Sequence, residues 1–101
     1  MPKRPEKHRD LLDRIRERLA DGRFRDTRHA AERKRERGIT LPEVRQACEN
    51  GWHEKRKDEF NASWLAWNYA IRGKTVDGRE LRIAVSFDEE DYLLIITTIE
   101  L

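Results

Sequence analysis

The residues of this chain that could do chemistry are concentrated between Thr27 and Thr40. His29, Arg33 and Arg37 are four residues apart. On an α-helix this spacing drifts only about 80° around the axis, so the three side chains share one face. A neutral imidazole can move a proton near pH 7, and a guanidinium holds a phosphate without losing its charge. The combination suits chemistry at the RNA backbone and makes these three residues catalytic candidates.

The same segment can also be interpreted as an ordinary solvated helix. Between Thr27 and Arg37 the only apolar residues are Ala30 and Ala31, so a helix here buries little surface. It carries five bases against two acids, and Arg28 and Lys34 are therefore candidate RNA-binding residues. A basic helix can be an electrostatic footprint without catalysis, so the spacing leaves both interpretations open.

Three helices are predicted in the N-terminal half. Leu11, Leu12, Ile15 and Leu19 form an apolar stripe that predicts a helix over residues 6–20. Asp26 or Thr27 can cap a second helix over residues 27–37, which Gly38 ends.

The third helix is predicted over residues 41–50, because Thr40-Leu41-Pro42-Glu43 has the capping-box spacing and Asn50-Gly51 stops it. His29 then lies in the first turn of the second helix, where the macrodipole disfavours a charged imidazole.

Alternating apolar residues predict strands in the C-terminal half. The runs 64–76 and 79–87 flank Asp77-Gly78, a hairpin signal. The run 91–100 is apolar on both faces, which predicts the central strand, and Trp52 to Phe60 predicts a weaker edge strand. We therefore predict an α+β fold with three N-terminal helices followed by a three- or four-stranded antiparallel sheet.

Several of these segments together resemble a family of small uncharacterised bacterial domains. The matching motifs are His29-Ala30-Ala31-Glu32-Arg33, Arg37-Gly38-Ile39-Thr40, Glu43-Val44 through Asn50-Gly51, Asp77-Gly78-Arg79, and Ile96-Thr97. The resemblance covers residues 24–100, and its first motif is the most specific. The family is grouped with the fold of barnase, EndoU, colicin ribonucleases and RelE-type toxins, many of which cut RNA without a metal.

The resemblance implies a metal-independent ribonuclease of the toxin type, in which the ribose 2′-OH attacks the adjacent phosphate. His29 would move the proton, Arg33 and Arg37 would hold the phosphate, and Thr97 would orient the imidazole or the phosphate. RNA, including mRNA on the ribosome, and a neutralising antitoxin are the implied partners, and no cofactor is implied. The alternative is a non-catalytic RNA- or protein-binding module on the same fold.

Thr97 could instead be only a half-buried residue of its strand, because strict alternation puts it on one strand face with Leu93, Ile95 and Ile99. Thr98, on the other face, is the second candidate for the hydroxyl that orients the imidazole or the phosphate.

Other side chains are weaker candidates. Arg72 and Arg82 lie opposite the apolar rows of their strands and are candidate RNA-binding residues. His53 could be a second proton carrier, whereas His8 lies in the tail and is expected to be inert. Trp52, Trp64, Trp67 and Tyr69 could stack on bases, but aromatic residues of a short sheet belong more often to the core. Cys48, the single cysteine, is expected to be a buried apolar residue.

The length and the charge distribution of the chain indicate its number of domains and the kind of partner it faces. A chain of 101 residues forms one domain, with residues 1–5 predicted as a flexible basic tail. Residues 1–40 carry 14 Lys and Arg against 8 Asp and Glu, whereas residues 41–101 carry 8 against 12. The N-terminal part is thus expected to face a polyanion. The sequence contains no apolar run of membrane-spanning length and no cysteine or histidine spacing typical of a metal site, so we expect a cytoplasmic protein without a metal.

Overall fold

The computed structural model describes residues 4–101, and its helices begin and end at local signals. They are α1 (Leu11–Ala20), α2 (Arg28–Arg37) and α3 (Leu41–Asn50). The Ala30 N–H donates to Thr27 Oγ1 at 3.1 Å, and Gly38 ends α2 at a φ of 64°. The Thr40–Glu43 capping box starts α3. The predicted ranges of α2 and α3 agree with the structure, whereas α1 begins later than the predicted residue 6.

Within residues 4–101, six strands form one mixed sheet. They are β1 (Phe24–Asp26), β2 (Trp52–His53), β3 (Glu59–Asn61), β4 (Ala66–Lys74), β5 (Glu80–Phe87) and β6 (Leu93–Glu100). The order is β1-β6-β5-β4-β2, and β3 also pairs with β4. The three strands predicted from alternation are β4, β5 and β6, and they are antiparallel neighbours.

The predicted purely antiparallel sheet is corrected in three respects. Residues 24–26, expected in a connection, form β1 and pair in parallel with β6. The predicted strand over 52–60 is two short strands separated by a 3₁₀ turn at Lys55–Lys57. The centre of the strand order is β5 rather than β6. A strand of two or three residues is too short to show alternation, so sequence periodicity does not reveal it.

The three helices cover one face of the sheet. Within residues 4–101 no α-helix packs on the other face, which we call the open face, although Glu54 is buried there against Arg72 and Arg82. Buried side chains from all three helices pack with β4, β5 and β6 in one core: Leu11, Ile15, Leu19, Ala30, Val44, Ala47, Cys48, Ile71, Ile83, Val85, Leu93 and Ile95. The short α2 contributes only Ala30 to this apolar core. Most of its surface is therefore left to other roles.

A β-bulge in β6 reverses the predicted facing of its two threonines. Ala84 pairs with Thr97 and Val85 pairs with Ile95, so Ile96 is the extra residue. Thr98 lies opposite the buried Ile83 and is itself fully buried. Thr97 is half-buried and lies opposite Ala84, on the open face. The predicted alternation, which grouped Thr97 with Leu93 and Ile95, is wrong beyond this bulge.

Residues 4–10 precede α1 and lie against the sheet. The Trp67 indole N–H donates to the Pro5 carbonyl at 2.8 Å, and the Arg4 guanidinium lies 5.0 Å from the centre of the Phe60 ring. Residues 4 and 5 of the predicted tail make these contacts, and residues 1–3 of that tail lie outside the described residues. Among residues 4–101, no helix has both the length and the apolar character needed to cross a membrane.

Candidate functional site

The exposed face of α2 carries most of the predicted site. We call Arg28, His29, Arg33 and Arg37 the α2 stripe; all four residues are exposed. The Arg28 side chain is 93% exposed and lies 3.4 Å from Glu32, and Arg33 lies 3.4 Å from Glu36. Exposed pairs of this kind are weak, so both guanidiniums can exchange their carboxylate for a phosphate.

His29 and Arg37 differ in how they are held. The His29 ring makes no hydrogen bond with any of residues 4–101, so nothing within this range fixes its orientation. Arg37 donates from Nη1 to the Thr98 carbonyl at 2.5 Å, on the edge of β6 that β1 does not cover. Arg37 therefore satisfies an edge carbonyl of β6 while remaining partly accessible.

Lys34 does not belong to the exposed surface. Its side chain is buried, and Nζ is paired with Asp26 Oδ2 at the end of β1. A buried ammonium needs such a partner, and removing either member would leave an uncompensated charge. The structure thus gives Lys34, predicted to bind RNA, a role in attaching α2 to β1.

Thr97 lies in a groove on the open face of the sheet. The groove has a volume of ≈ 470 Å³. Its lining includes Arg82, Asn68, Lys57 and Thr97, and among the described residues none of the α2 stripe contributes to it. Within residues 4–101, no hydrogen bond joins Thr97 to His29 or Arg33, and neither of these two residues lines the groove that contains Thr97.

Arg72 and Arg82 share a buried carboxylate. Arg82 Nε donates to Glu54 Oε1 at 2.6 Å, and Arg72 Nη1 donates to Glu54 Oε2 at 3.3 Å. Arg72 also donates from Nε to Glu80 at 2.6 Å. The hydrogen bond from Arg82, followed by that from Arg72, lowers the pKa of Glu54. Arg72 is thus engaged by two carboxylates, whereas Arg82 also reaches the open-face groove.

The residues around His53 form a cluster that little in the sequence indicates. The Nε2 of His53 lies 2.7 Å from Oδ2 of Asp58, whose side chain is fully buried. His8 and His53 both line a second groove of ≈ 490 Å³, and their rings lie 5.9 Å and 5.7 Å from the Tyr69 ring. Asp58 lies in a run of charged residues, which normally indicates a solvated surface. Its burial could not be deduced from that pattern.

The aromatic residues and the cysteine divide between core and surface. Tyr69 is buried and Trp67 packs against the core, whereas Trp52 and Trp64 are 53% and 80% exposed. Burial raises the pKa of the Cys48 thiol to about 12, which removes it as a nucleophile near pH 7. The prediction that Cys48 is a buried apolar residue is confirmed. No group of three or more His, Cys, Asp and Glu side chains within residues 4–101 is arranged to hold a metal ion.

Fold and surface together define a small α+β protein with a basic helix on its surface. Residues 27–100 match the family described as a domain of unknown function (DUF4258), and the chain belongs to that family. The matched region begins at the cap of α2 and extends to the end of β6. No curated protein matches the chain, and no solved structure matches it.

Proposed function

We propose that this chain is a metal-independent ribonuclease that holds single-stranded RNA against the α2 stripe. The observation that carries the proposal is the exposure of one imidazole and three guanidiniums on a helix whose packing uses other residues, Ala30 and Lys34. Such a surface attracts a polyanion, and its guanidiniums match the geometry of phosphate oxygens.

His29 and Arg33 supply the chemistry in this proposal. The imidazole accepts the proton of a ribose 2′-OH while the 2′-oxygen forms a bond to the adjacent phosphorus and the bond to the 5′-oxygen breaks. Arg33, one turn away on the same face, neutralises the charge on the phosphoryl oxygens. The leaving 5′-oxygen takes a proton from solvent, so the products carry a 2′,3′-cyclic phosphate and a 5′-hydroxyl.

A non-catalytic RNA-binding module is the second candidate. The free His29 ring favours it, because within residues 4–101 this ring makes no hydrogen bond to Thr97 or to any other group that could orient it. An imidazole that no partner orients is a less effective catalyst of proton transfer than one held in place. RNA binding through the same α2 stripe would remain.

Cleavage by wild type and His29→Ala distinguishes these two functions. We expect wild type to cleave RNA in EDTA, and His29→Ala to lose about 100-fold in rate while RNA affinity and the far-UV circular dichroism spectrum are unchanged. Glu32→Ala, an exposed change on the same helix, is the matched control and should retain cleavage. The readouts are fragment lengths and the 2′,3′-cyclic phosphate ends.

Three results would count against the enzyme. Equal cleavage by wild type and His29→Ala would remove His29 from the reaction, and loss of cleavage in EDTA would indicate a metal. No cleavage of free RNA or of mRNA on translating ribosomes would leave the binding module. In the proposed setting the protein acts on cytoplasmic mRNA, and a neutralising antitoxin would have to cover the α2 stripe.

A further inference from the structure

A second groove lies at the opposite edge of the sheet from α2. It is formed where residues 7–10 and the first turns of α1 meet the end of β2, and it has a volume of ≈ 490 Å³. Because β2 and β1 are at the two ends of the strand order, this groove and the α2 stripe are separate surfaces.

The best-held group in this groove is His53. Its Nε2 is 2.7 Å from Asp58 Oδ2, and Asp58 is fixed in turn by the Ala70 N–H at 2.8 Å and by Lys7 Nζ at 2.9 Å. A carboxylate at Nε2 fixes the ring orientation and keeps the proton on Nε2 when the ring is neutral. Nδ1 makes no hydrogen bond to the described part of the chain and remains available for a ligand.

His8 is the second imidazole of the groove. Its backbone N–H donates to the Tyr69 hydroxyl at 3.2 Å, and its ring packs edge-on against Phe87 at 5.1 Å. Burial, and then the charge of Arg14, lowers the pKa of His8. The ring is therefore neutral at pH 7 and can offer one N–H to a ligand.

The charged groups of the groove are predominantly basic. Lys7, Arg9, Arg16 and Lys55 line it, against Asp10 and Asp13. Lys7 is occupied by Asp58, and Asp10 lies 3.7 Å from Arg14. The Arg16 Nε is buried and finds no acceptor within residues 4–101. A buried donor without an acceptor is costly, which points to a ligand that supplies one.

We propose that this groove binds a phosphate group, either as inorganic phosphate or as the phosphate of a nucleotide. The Arg16 guanidinium, together with the exposed Arg9 and Lys55, lines the groove and donates to the phosphate oxygens. His8 donates its one ring N–H to a phosphate oxygen, and Nδ1 of neutral His53 accepts a hydrogen bond from the P–OH group of the monoanion. Phosphate binding in this groove does not require RNA cleavage. The proposed site and the proposed ribonuclease activity are therefore tested independently.

Long-range ¹H–¹⁵N spectra of the histidine rings test the proposal directly. The ¹⁵N-labelled full chain is titrated with sodium phosphate and, separately, with adenosine 5′-monophosphate, while sodium chloride keeps the ionic strength constant. We expect saturable shifts of the His8 and His53 resonances, at lower ligand concentrations than any shift of His29. Tighter binding of the nucleotide indicates contacts beyond the phosphate, and equal binding indicates that the phosphate alone is recognised.

Charge-removing variants locate the ligand within the groove. Arg16→Gln should weaken binding at least about tenfold, because it removes the buried donor. Lys55→Gln should weaken it about two- to fivefold. Arg56→Gln is the matched control, an exposed neighbour that does not line the groove. Shifts that do not saturate, shifts confined to His29, or equal affinities of Arg16→Gln and Arg56→Gln would each overturn the proposal.

Discussion

At the scale of single residues, the threonines of β6 show how one inserted residue decides which hydroxyl can reach a ligand. Thr98 is fully buried, and its Oγ1 has no hydrogen-bond partner within residues 4–101. Thr97, next to it, is half-buried and lines the open-face groove. Of the two, only Thr97 is therefore accessible to a bound molecule. Thr98 contributes through its packing in the core.

Replacing Thr98 by valine tests this assignment. Valine has nearly the same shape, and it removes a buried hydroxyl that lacks a partner. We expect Thr98→Val to raise the free energy of unfolding by about 1 kcal/mol, as measured by urea denaturation. Thr97→Val, the neighbouring control, should change it by less than about 0.5 kcal/mol. Destabilisation by Thr98→Val would mean that the hydroxyl is paired.

The facing of the threonines also marks a limit of prediction from sequence. The chemistry of His29, Arg33 and Arg37 follows from helical spacing, which is local, and all three are exposed as expected. The position of Thr97 depends on a bulge that forms between β5 and β6, and simple alternation cannot locate it. The burial of Asp58 also depends on contacts between distant parts of the chain, because groups from three separate segments hold it. It could not be predicted from the local sequence.

At the scale of elements, the packing of α3 on β4 depends on a close backbone approach. A Cβ on Gly73 would lie 1.9 Å from the Ala47 carbonyl oxygen, and a Cβ on Gly51 would lie 2.4 Å from the same atom. Since the obstacle is backbone, a side-chain rotation cannot relieve it. The glycine in β4 therefore sets the distance between helix and sheet.

Gly73→Ala should consequently be destabilising. Overpacking of this kind costs about 1–3 kcal/mol, and here α3 would have to move away from the sheet. Thermal or urea unfolding measures the change, with the exposed Lys74→Ala as the control in the same strand. A stability equal to that of wild type would show that the close approach of α3 does not exclude a Cβ at position 73.

Element prediction succeeds where the signal is local. Thr27 and Gly38 delimit α2, and Thr40 with Glu43 starts α3, because the caps act within a few residues of the chain. In contrast, β1 is stabilised by pairing with β6, whose residues are distant in sequence. A strand of three residues is too short for its sequence pattern to predict such a contact.

At the scale of the whole molecule, ion pairs within the fold neutralise part of the excess positive charge of residues 1–40. Arg14 and Arg18 of α1 both pair with Asp91, and Lys34 pairs with Asp26. Several bases of residues 1–40 thus compensate acids within the molecule. The α2 stripe retains its charge at the surface with only weak pairs, so the electrostatic attraction of a polyanion should be concentrated there.

The salt dependence of RNA affinity tests this central claim most directly. The double variant Arg28→Gln with Arg33→Gln is compared with wild type and with a matched double variant, Arg56→Gln with Lys74→Gln, in which two other exposed bases are neutralised. Loss of two phosphate contacts on single-stranded RNA should reduce the slope of log affinity against log salt by about 1.4. We expect that reduction for the α2 pair and little change for the control pair. Equal slopes for the α2 pair and wild type would contradict the assignment of RNA to α2.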